Sequence, residues 1–473
     1  MKIDSFKPKL STRIKNAATE VILSSTSHGL PNIFRSNELS IKIMWTFFTL
    51  ISAGLCSALI YESFANYFNY EVTTKTRVKH EFKSIFPTVT ICNLNYFTSD
   101  YSVNFIKSME KFKPVYNPLE SLFENAAKST KDKFNQGNNS KIFGDSKEKL
   151  IVSCIYQKAK CNMSYFTFYN HPHYGNCYTL NSGYDEYGNE IPLWTTLAPK
   201  RILGLKLILN TSVPDEIRFV SPNYGAMIII HNVTDDPFQI EGITVGPRTE
   251  TNIALNRNIY SSMPKPYSEC DANTNDPLAY DSELYKLVHN NTKGYSQVLC
   301  MGICAQRLYV KQCGCYIANF PSFFNVRACL PLEDGICINQ ILRTISSTNY
   351  VSDECYKQCP LECDGMNFEK TISTNQYSSE HWIKHLEIYN QSDAKYFNKS
   401  INSEDLTAVN IYYQTLSYTN IEEAPTTGLV DLLSNIGGIA GLFLGVSFLS
   451  FIEIFELLMQ IVLILKNNDK VSG

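Results

Sequence analysis

The chain has 473 residues and a net charge of −3, with 42 Lys+Arg against 45 Asp+Glu, so bulk charge gives no reason to expect a nucleic-acid partner. A hydrophobic share of 44% excludes a wholly disordered polymer. Its 15 cysteines are many for a reducing compartment and point to thiols that oxidise and stay paired outside the cytosol.

Taken in chain order, a basic start comes first, with Lys2, Lys7, Lys9, Arg13, Lys15, Arg35 and Lys42. From Ile43 to Tyr61 the chain then carries no charged residue, enough to cross roughly 30 Å of hydrocarbon as a helix rising about 1.5 Å per residue. A buried core helix is the competing reading, but few core helices are apolar on every face. A cleaved signal peptide does not fit, because the segment starts far into the chain and no small-residue cleavage site follows, so a signal anchor is expected.

Cys56 sits alone inside this segment, and every other cysteine falls between Cys92 and Cys363, an even set once Cys56 is taken from the 15. Glycosylation sequons at Asn138, Asn162, Asn210, Asn232, Asn290, Asn390 and Asn398 share the same interval. A cytosolic zinc protein would account for the cysteines and not for the sequons. The polar run from Lys128 to Lys149 reads as a mobile surface loop, and Leu203–Leu209 and Ala226–Ile230 read as strands.

A second apolar segment runs from Leu432 to Leu465, broken by charge only at Glu453 and Glu456, and would measure about 50 Å as a straight helix, so it must tilt or break. Lys466 and Lys470 follow it, and the positive-inside rule puts both ends of the chain in the cytoplasm and the middle outside. Gly437, Gly441 and Gly445 recur every four residues with Gly438 beside them, which leaves one helix face nearly bare. That face suits close packing, and it also allows the backbone to unwind, which is expected around Gly445-Val446-Ser447. Glu453 and Glu456 are three apart, and carboxylates inside a bilayer are best explained by an aqueous lumen. Asp431 at the outer end would form a ring of negative charge in a symmetric assembly, or is a solvated helix-end residue.

Four strings then carry a family resemblance. Ser27-His28-Gly29-Leu30-Pro31-Asn32-Ile33-Phe34 resembles the His-Gly gating motif of the degenerin/epithelial sodium channel family, and Phe86-Pro87-Thr88-Val89-Thr90-Ile91-Cys92-Asn93 resembles its post-membrane signature. Gly175-Asn176-Cys177-Tyr178-Thr179-Leu180-Asn181 resembles a palm-strand motif, and Gly437-Gly438 through Ser447 resembles the pore segment. The overall likeness is to cnidarian-type peptide-gated members.

The resemblance implies an α+β membrane protein with two transmembrane helices, a large disulfide-rich extracellular domain built as β-strand palm, finger, knuckle and helical thumb, and a trimeric channel. Residues 1–42 would be the cytoplasmic N-terminus, 43–66 the first span, 67–428 the extracellular domain, 429–465 the second span with the pore, and 466–473 the cytoplasmic C-terminus. The finger would fall between about Asn95 and Asn170. Carried over position by position, the cysteines would pair as Cys92–Cys177, Cys154–Cys161, Cys270–Cys363, Cys300–Cys359, Cys304–Cys355, Cys313–Cys337 and Cys315–Cys329. The i, i+4 spacings of Cys300, Cys304 and of Cys355, Cys359, Cys363 would suit two antiparallel helices laddered face to face.

By the same resemblance Gly445, Val446 and Ser447 form the selectivity filter, with valine where many relatives have alanine or serine. Ser434 takes the position where large side chains lock degenerins open and near which amiloride blocks, and Asn435 replaces an aspartate of acid-sensing relatives. His28 and Gly29 are gating residues, and Tyr70 and Tyr267 would join the domains, Tyr267 standing where tryptophan is usual. Asp235 and Asp236 align with part of an acidic pocket, yet adjacent carboxylates are commonly just a solvated turn.

The expected function is a ligand-gated, amiloride-sensitive sodium channel subunit at the plasma membrane, opened by an extracellular RFamide-type peptide, with protons or mechanical force as alternative stimuli. The preference for a peptide rests on the overall likeness, the brief cytoplasmic ends and the incomplete acidic pocket. Sodium, with calcium as a second candidate, would be the permeant ion, and related subunits and the lipid bilayer the partners. No enzyme activity, catalytic residue, cofactor or metal is expected. A two-span ectonucleotidase would need phosphate-cradling loops, and no convincing pair is seen; a scavenger-type receptor would have no use for intramembrane glycines and carboxylates.

Overall fold

The structure is a computed structural model and describes residues 10–108, 122, 125–126, 140–318, 320–321, 323–347, 350–377 and 403–472. The chain divides into two units, one formed by Met1–Thr73 with Ala424–Gly473 and the other by Thr74–Glu423.

In the first unit, α1 (Leu10–Ser24) and the short α2 (Leu30–Arg35) precede α3 (Leu39–Phe68). Pro31 sits in the first turn of α2, where a missing N–H costs nothing. The 30 residues of α3 extend beyond both limits of the predicted 43–66 span and end before Tyr70, whose φ of 52° turns the chain. α7 (Leu429–Leu444) and α8 (Phe448–Ser472) close the chain. Leu39–Phe68 and Phe448–Lys466 are long and apolar enough to cross a membrane.

The second unit is built on two sheets. With β1 (Val72–His80), β2 (Thr88–Asn93), β3 (Ile151–Tyr156), β4 (Ala159–Lys160), β5 (Phe166–His171), β6 (Gly175–Leu180), β7 (Leu205–Asn210), β8 (Ala226–His231), β9 (Ile243–Val245), β10 (Thr249–Ser261), β11 (Asp364–Gln376) and β12 (Leu406–Pro425), the larger sheet runs β11-β10-β12-β7-β3-β4, with β1 also on β12. The smaller runs β9-β8-β2-β6-β5. The sheets meet over one core in which Val89, Ile91, Leu205, Leu207, Ile228, Ile230, Ile253, Val409 and Ile411 are almost wholly shielded. β8 is buried along its whole length because Ala-Met-Ile-Ile-Ile offers no polar alternation, which suits a strand covered on both faces. The strand expected at Leu203–Leu209 starts at Leu205, because Arg201–Leu203 forms a 3-10 turn. β10 and β12 are parallel neighbours, and β10 pairs antiparallel with β11 from Thr249–Gln376 to Ser261–Asp364. In chain order, β1 follows α3 and β12 leads into α7, so neighbouring strands of one sheet continue into both apolar segments.

Seven disulfides join Cys92–Cys177, Cys154–Cys161, Cys270–Cys363, Cys300–Cys359, Cys304–Cys355, Cys313–Cys337 and Cys315–Cys329, and Cys56 is free and buried. The helical ladder needs correction. Cys300 and Cys304 lie on α5 (Gln297–Cys313), after α4 (Glu283–Asn291) and before α6 (Pro331–Ser347), but only one of their two partners, Cys355, is in a helical segment. Cys355 ends a single π turn, Val351–Cys355, and Cys359 lies in the turn that follows, so one helix is stapled to a tight turn. Pro360 keeps the chain from continuing as a helix beyond Cys359, since it disfavours helical geometry in the residue before it.

The expected loop from Lys128 to Lys149 also differs from 140 onward: Phe143, Asp145 and Lys147 are buried, and Ser146 caps a helical turn by accepting from Lys149 N. Asp145 escapes an isolated buried charge by pairing with Lys149 at 2.7 Å and accepting from Asn93. The remainder of that run up to 139, with Asn138, and the sequons Asn390 and Asn398 lie outside the described residues.

Candidate functional site

The site begins with the break in the last apolar segment. α7 stops at Gly445, whose φ of 69° and ψ of 16° are left-handed and favour glycine. Gly445 N donates to Gly441 O at 3.0 Å, the single bond of an αL cap, and Val446 N reaches Ala440 O at 3.3 Å. α8 restarts after Ser447, whose N–H donates to Ser450 Oγ at 3.0 Å. The non-helical link is therefore Gly445-Val446-Ser447, where the glycine pattern places it.

A helix end leaves carbonyls without intrahelical partners, and inside an apolar segment they cannot turn to water. Here Phe443 O accepts from Ser52 Oγ of α3 at 2.6 Å, and Leu444 O accepts from His28 N at 2.9 Å. The His-Gly segment thus docks on the break itself. It fits only because two glycines lack side chains: a Cβ on Gly445 would lie 2.7 Å from the His28 ring, and one on Gly29 would collide with Thr49 Oγ1. A 310 Å³ cavity beside this contact is lined by His28, Gly29, Trp45, Thr49, Phe443 and Val446.

Glu453 and Glu456 were expected together on a water-filled wall, and the structure gives them separate partners. The Glu453 carboxylate accepts from Thr26 N at 3.2 Å, while Glu456 accepts from Gln460 one turn along its own helix. Thr26 Oγ1 also meets Ser450 Oγ at 2.8 Å, which ties residues 26–28 to the start of α8 as well as the end of α7. A backbone N–H thus gives the Glu453 carboxylate a partner within the chain. Thr26, Ser52 and Ser450 were missed in the sequence; the available signal was a hydroxyl or short polar side chain beside or within an apolar run.

Asp431 reaches back to accept from Gly428 N at 3.0 Å, a helix-capping role, and Ser434 and Asn435 are exposed on the same helix. Gly437 and Gly438 have open space where a side chain would be, so this upper part of the bare face is unoccupied by the described residues of one copy of the chain.

In the second unit, Tyr267 N closes a turn on Pro264 O, following a cis Lys265–Pro266 peptide. Asp235 and Asp236 are not a solvated turn. Asp236 accepts from Tyr169 Oη at 2.7 Å and from Phe238 N, Asp235 accepts from Asn232 N, and burial raises the pKa of both. Behind them, His231 is 3% exposed, and burial pushes its pKa down to about 4. Of the described sequons, Asn162 and Asn290 are exposed and Asn232 is half-buried. Asn210 differs from these three: it is 6% exposed at the end of β7, and its Oδ1 accepts from Ser212 N.

The family model for the amiloride-sensitive sodium channel matches residues 22–457. The gamma subunit of the epithelial sodium channel of Neoceratodus forsteri is 30% identical over 325 residues, 67% of this chain and 46% of that one. The beta subunit from Bos taurus is 30% identical over 326 residues, 67% of this chain and 48% of that one. The chain thus spans about half the length of the curated relatives it matches. A solved proton-activated chloride channel overlaps 88% of this chain and 97% of its own at 5% identity, with a TM-score of 0.32, too low to argue a shared shape.

Proposed function

Because the chain belongs to the amiloride-sensitive sodium channel family, we propose that it is one subunit of a two-span plasma-membrane channel that conducts sodium and is opened by an extracellular RFamide-type peptide. One observation carries the channel reading: the last apolar helix breaks at Gly445-Val446-Ser447, and the His28-Gly29 segment closes the freed carbonyls. Three copies around an axis, identical or mixed with related subunits, would turn the unwound link into a ring of backbone oxygens and Ser447 hydroxyls, the kind of surface that replaces water around a cation. Both termini would be cytoplasmic, and Asp431, Ser434 and Asn435 would line the outer mouth, with amiloride block near Ser434.

In this mechanism peptide binding shifts the sheets of the extracellular unit, and β1 and β12, being sheet neighbours, pass the motion to both spans. Tyr70 and Tyr267 would form the joint. Opening then changes the contact between His28 and the break, because a ligand acts only through contacts that differ between states. The peptide is preferred to protons because Asp235 and Asp236 already have hydrogen-bond donors within their own neighbourhood.

Currents from cells expressing the chain, alone and with related subunits, test this during application of an RFamide peptide. Sodium should carry inward current that amiloride blocks. Silence to peptides with a response to acid or stretch would replace the stimulus and keep the channel; an anion-carried current would end the sodium-channel reading. Tyr267→Ala should leave peptide binding intact and abolish opening, and ordinary gating in that variant would remove the joint.

A further inference from the structure

Outside the apolar helices the second unit carries a cleft of about 480 Å³, lined in part by Thr167, Thr179, Ser182, Asp235, Asn290 and Lys293. Two sequons flank it from opposite sides in sequence. Asn290 lines the cleft from the C-terminal end of α4 and is exposed. Asn232 follows β8, and its Nδ2 donates at the surface to Oγ1 of Thr234, which itself lines the cleft. The two rims touch: a Cβ on Gly294 would lie 3.0 Å from Thr234. Lys293, exposed on the lining, donates to Ser182 O at 2.7 Å with its ammonium over the Tyr184 ring.

We propose that Asn232 and Asn290 both carry N-linked oligosaccharides and that the pair roofs this cleft, leaving it open to small solutes and closed to macromolecular ligands. The transfer forms a bond between the asparagine Nδ2 and the anomeric carbon of an oligosaccharide carried on a polyprenyl diphosphate. That carbon's bond to the diphosphate oxygen breaks, and the amide proton leaves with the diphosphate. Asn210 serves as the internal contrast, because its burial leaves no path for a bulky substituent. The inference rests on the topology proposed above, in which this unit lies outside the cell.

The full chain, made in a eukaryotic cell and deglycosylated in heavy-oxygen water, should show labelled aspartate at 232 and 290 and none at 210. A modified Asn162 with bare Asn232 and Asn290 would overturn the inference while keeping the topology; no modification at any described sequon would overturn both. For the roof, Thr167→Cys in a Cys56→Ala background reports access from inside the cleft. Adding Asn232→Gln and Asn290→Gln should raise labelling by a large polymer-linked maleimide roughly ten-fold and leave a small methanethiosulfonate unchanged. Enzymatic removal of the glycans from the folded Thr167→Cys protein should do the same without the asparagine substitutions. Equal labelling by the large reagent before and after removal would overturn the roof.

Discussion

The two units are held together by different means. In Thr74–Glu423, two sheets close over an apolar core and disulfides fix it. In the unit of apolar helices, Phe47, Leu50, Leu433 and Leu442 face outward, and a few hydrogen bonds hold residues 26–28 and the broken helix. Each such bond is worth about 1 kcal/mol net, small enough for a ligand's differential binding to overcome. A disulfide across a long loop is worth several times that. The first arrangement transmits a shape and the second can exchange one shape for another.

The largest test of that contrast is to remove Cys92–Cys177, which joins β2 to β6 across 85 residues. Loop-closure entropy sets the loss at about 4–5 kcal/mol, against about 2 for Cys154–Cys161, whose separation is 7. Alanine pairs at each bridge, compared by thermal unfolding in detergent, should keep that order. Equal losses would mean that the sheets, rather than the crosslinks, fix the unit.

Next in size is acid. Asn232 O can only accept, so His231 Nδ1–H donates to it at 2.8 Å and Nε2 is left to accept from Thr90 Oγ1 at 2.9 Å; the ring is neutral. Its folded pKa of about 4 lies below the unfolded value near 6.5, so the unfolded chain takes up the proton first. Stability is therefore retained above about pH 6.5 and lost as pH falls towards 4, by about 2 kcal/mol at pH 5. His171 adds a loss of the same sign, its pKa being pushed down to about 3 by burial and by His173. His231→Gln should flatten the fall in melting temperature between pH 7 and 5, and an unchanged slope would place the titration elsewhere.

Most of the fold was legible because its signals were local or covalent. The apolar runs before Tyr61 and after Leu432 needed only composition, and Gly445 announced the break because its left-handed backbone favours glycine. Buried Lys147 and Asp145 were misread as a mobile loop because a charged residue looks solvated until its partner, here Glu186 or Lys149, is placed by the fold. The helical ladder held only in part: Cys304 is bridged to a helical turn at Cys355, while Cys359, next to Pro360, lies in the turn beyond it. Ser52 could not be read as a helix-capping residue, because its acceptor Phe443 O lies 391 positions away.

Within the helical unit, glycine replacement is the stronger perturbation. Gly445→Ala places an L-residue in left-handed geometry at about 1–2 kcal/mol and sets its Cβ against the His28 ring. Current should fall or the sodium-to-potassium ratio change, as read from reversal potentials. If the cost is the His28 contact, the double variant His28→Ala, Gly445→Ala should recover part of the loss; if it is backbone strain alone, the losses add.

The smallest effect should come from Ser52→Ala, and it separates the two kinds of cohesion most cleanly. The hydroxyl donates to Phe443 O at 2.6 Å, and its removal leaves a carbonyl at the end of α7 with one partner fewer while the apolar packing stays nearly the same. A loss of about 1 kcal/mol from the state in which this bond is made shifts the gating equilibrium roughly five-fold. Thermal unfolding of the disulfide-braced unit should not move, because Ser52 belongs to the other unit. Ser52→Thr keeps the hydroxyl and should restore the wild-type equilibrium. If alanine and threonine gate alike, the bond exists equally in both states, and the switch must be sought in the contact of Leu444 O with His28.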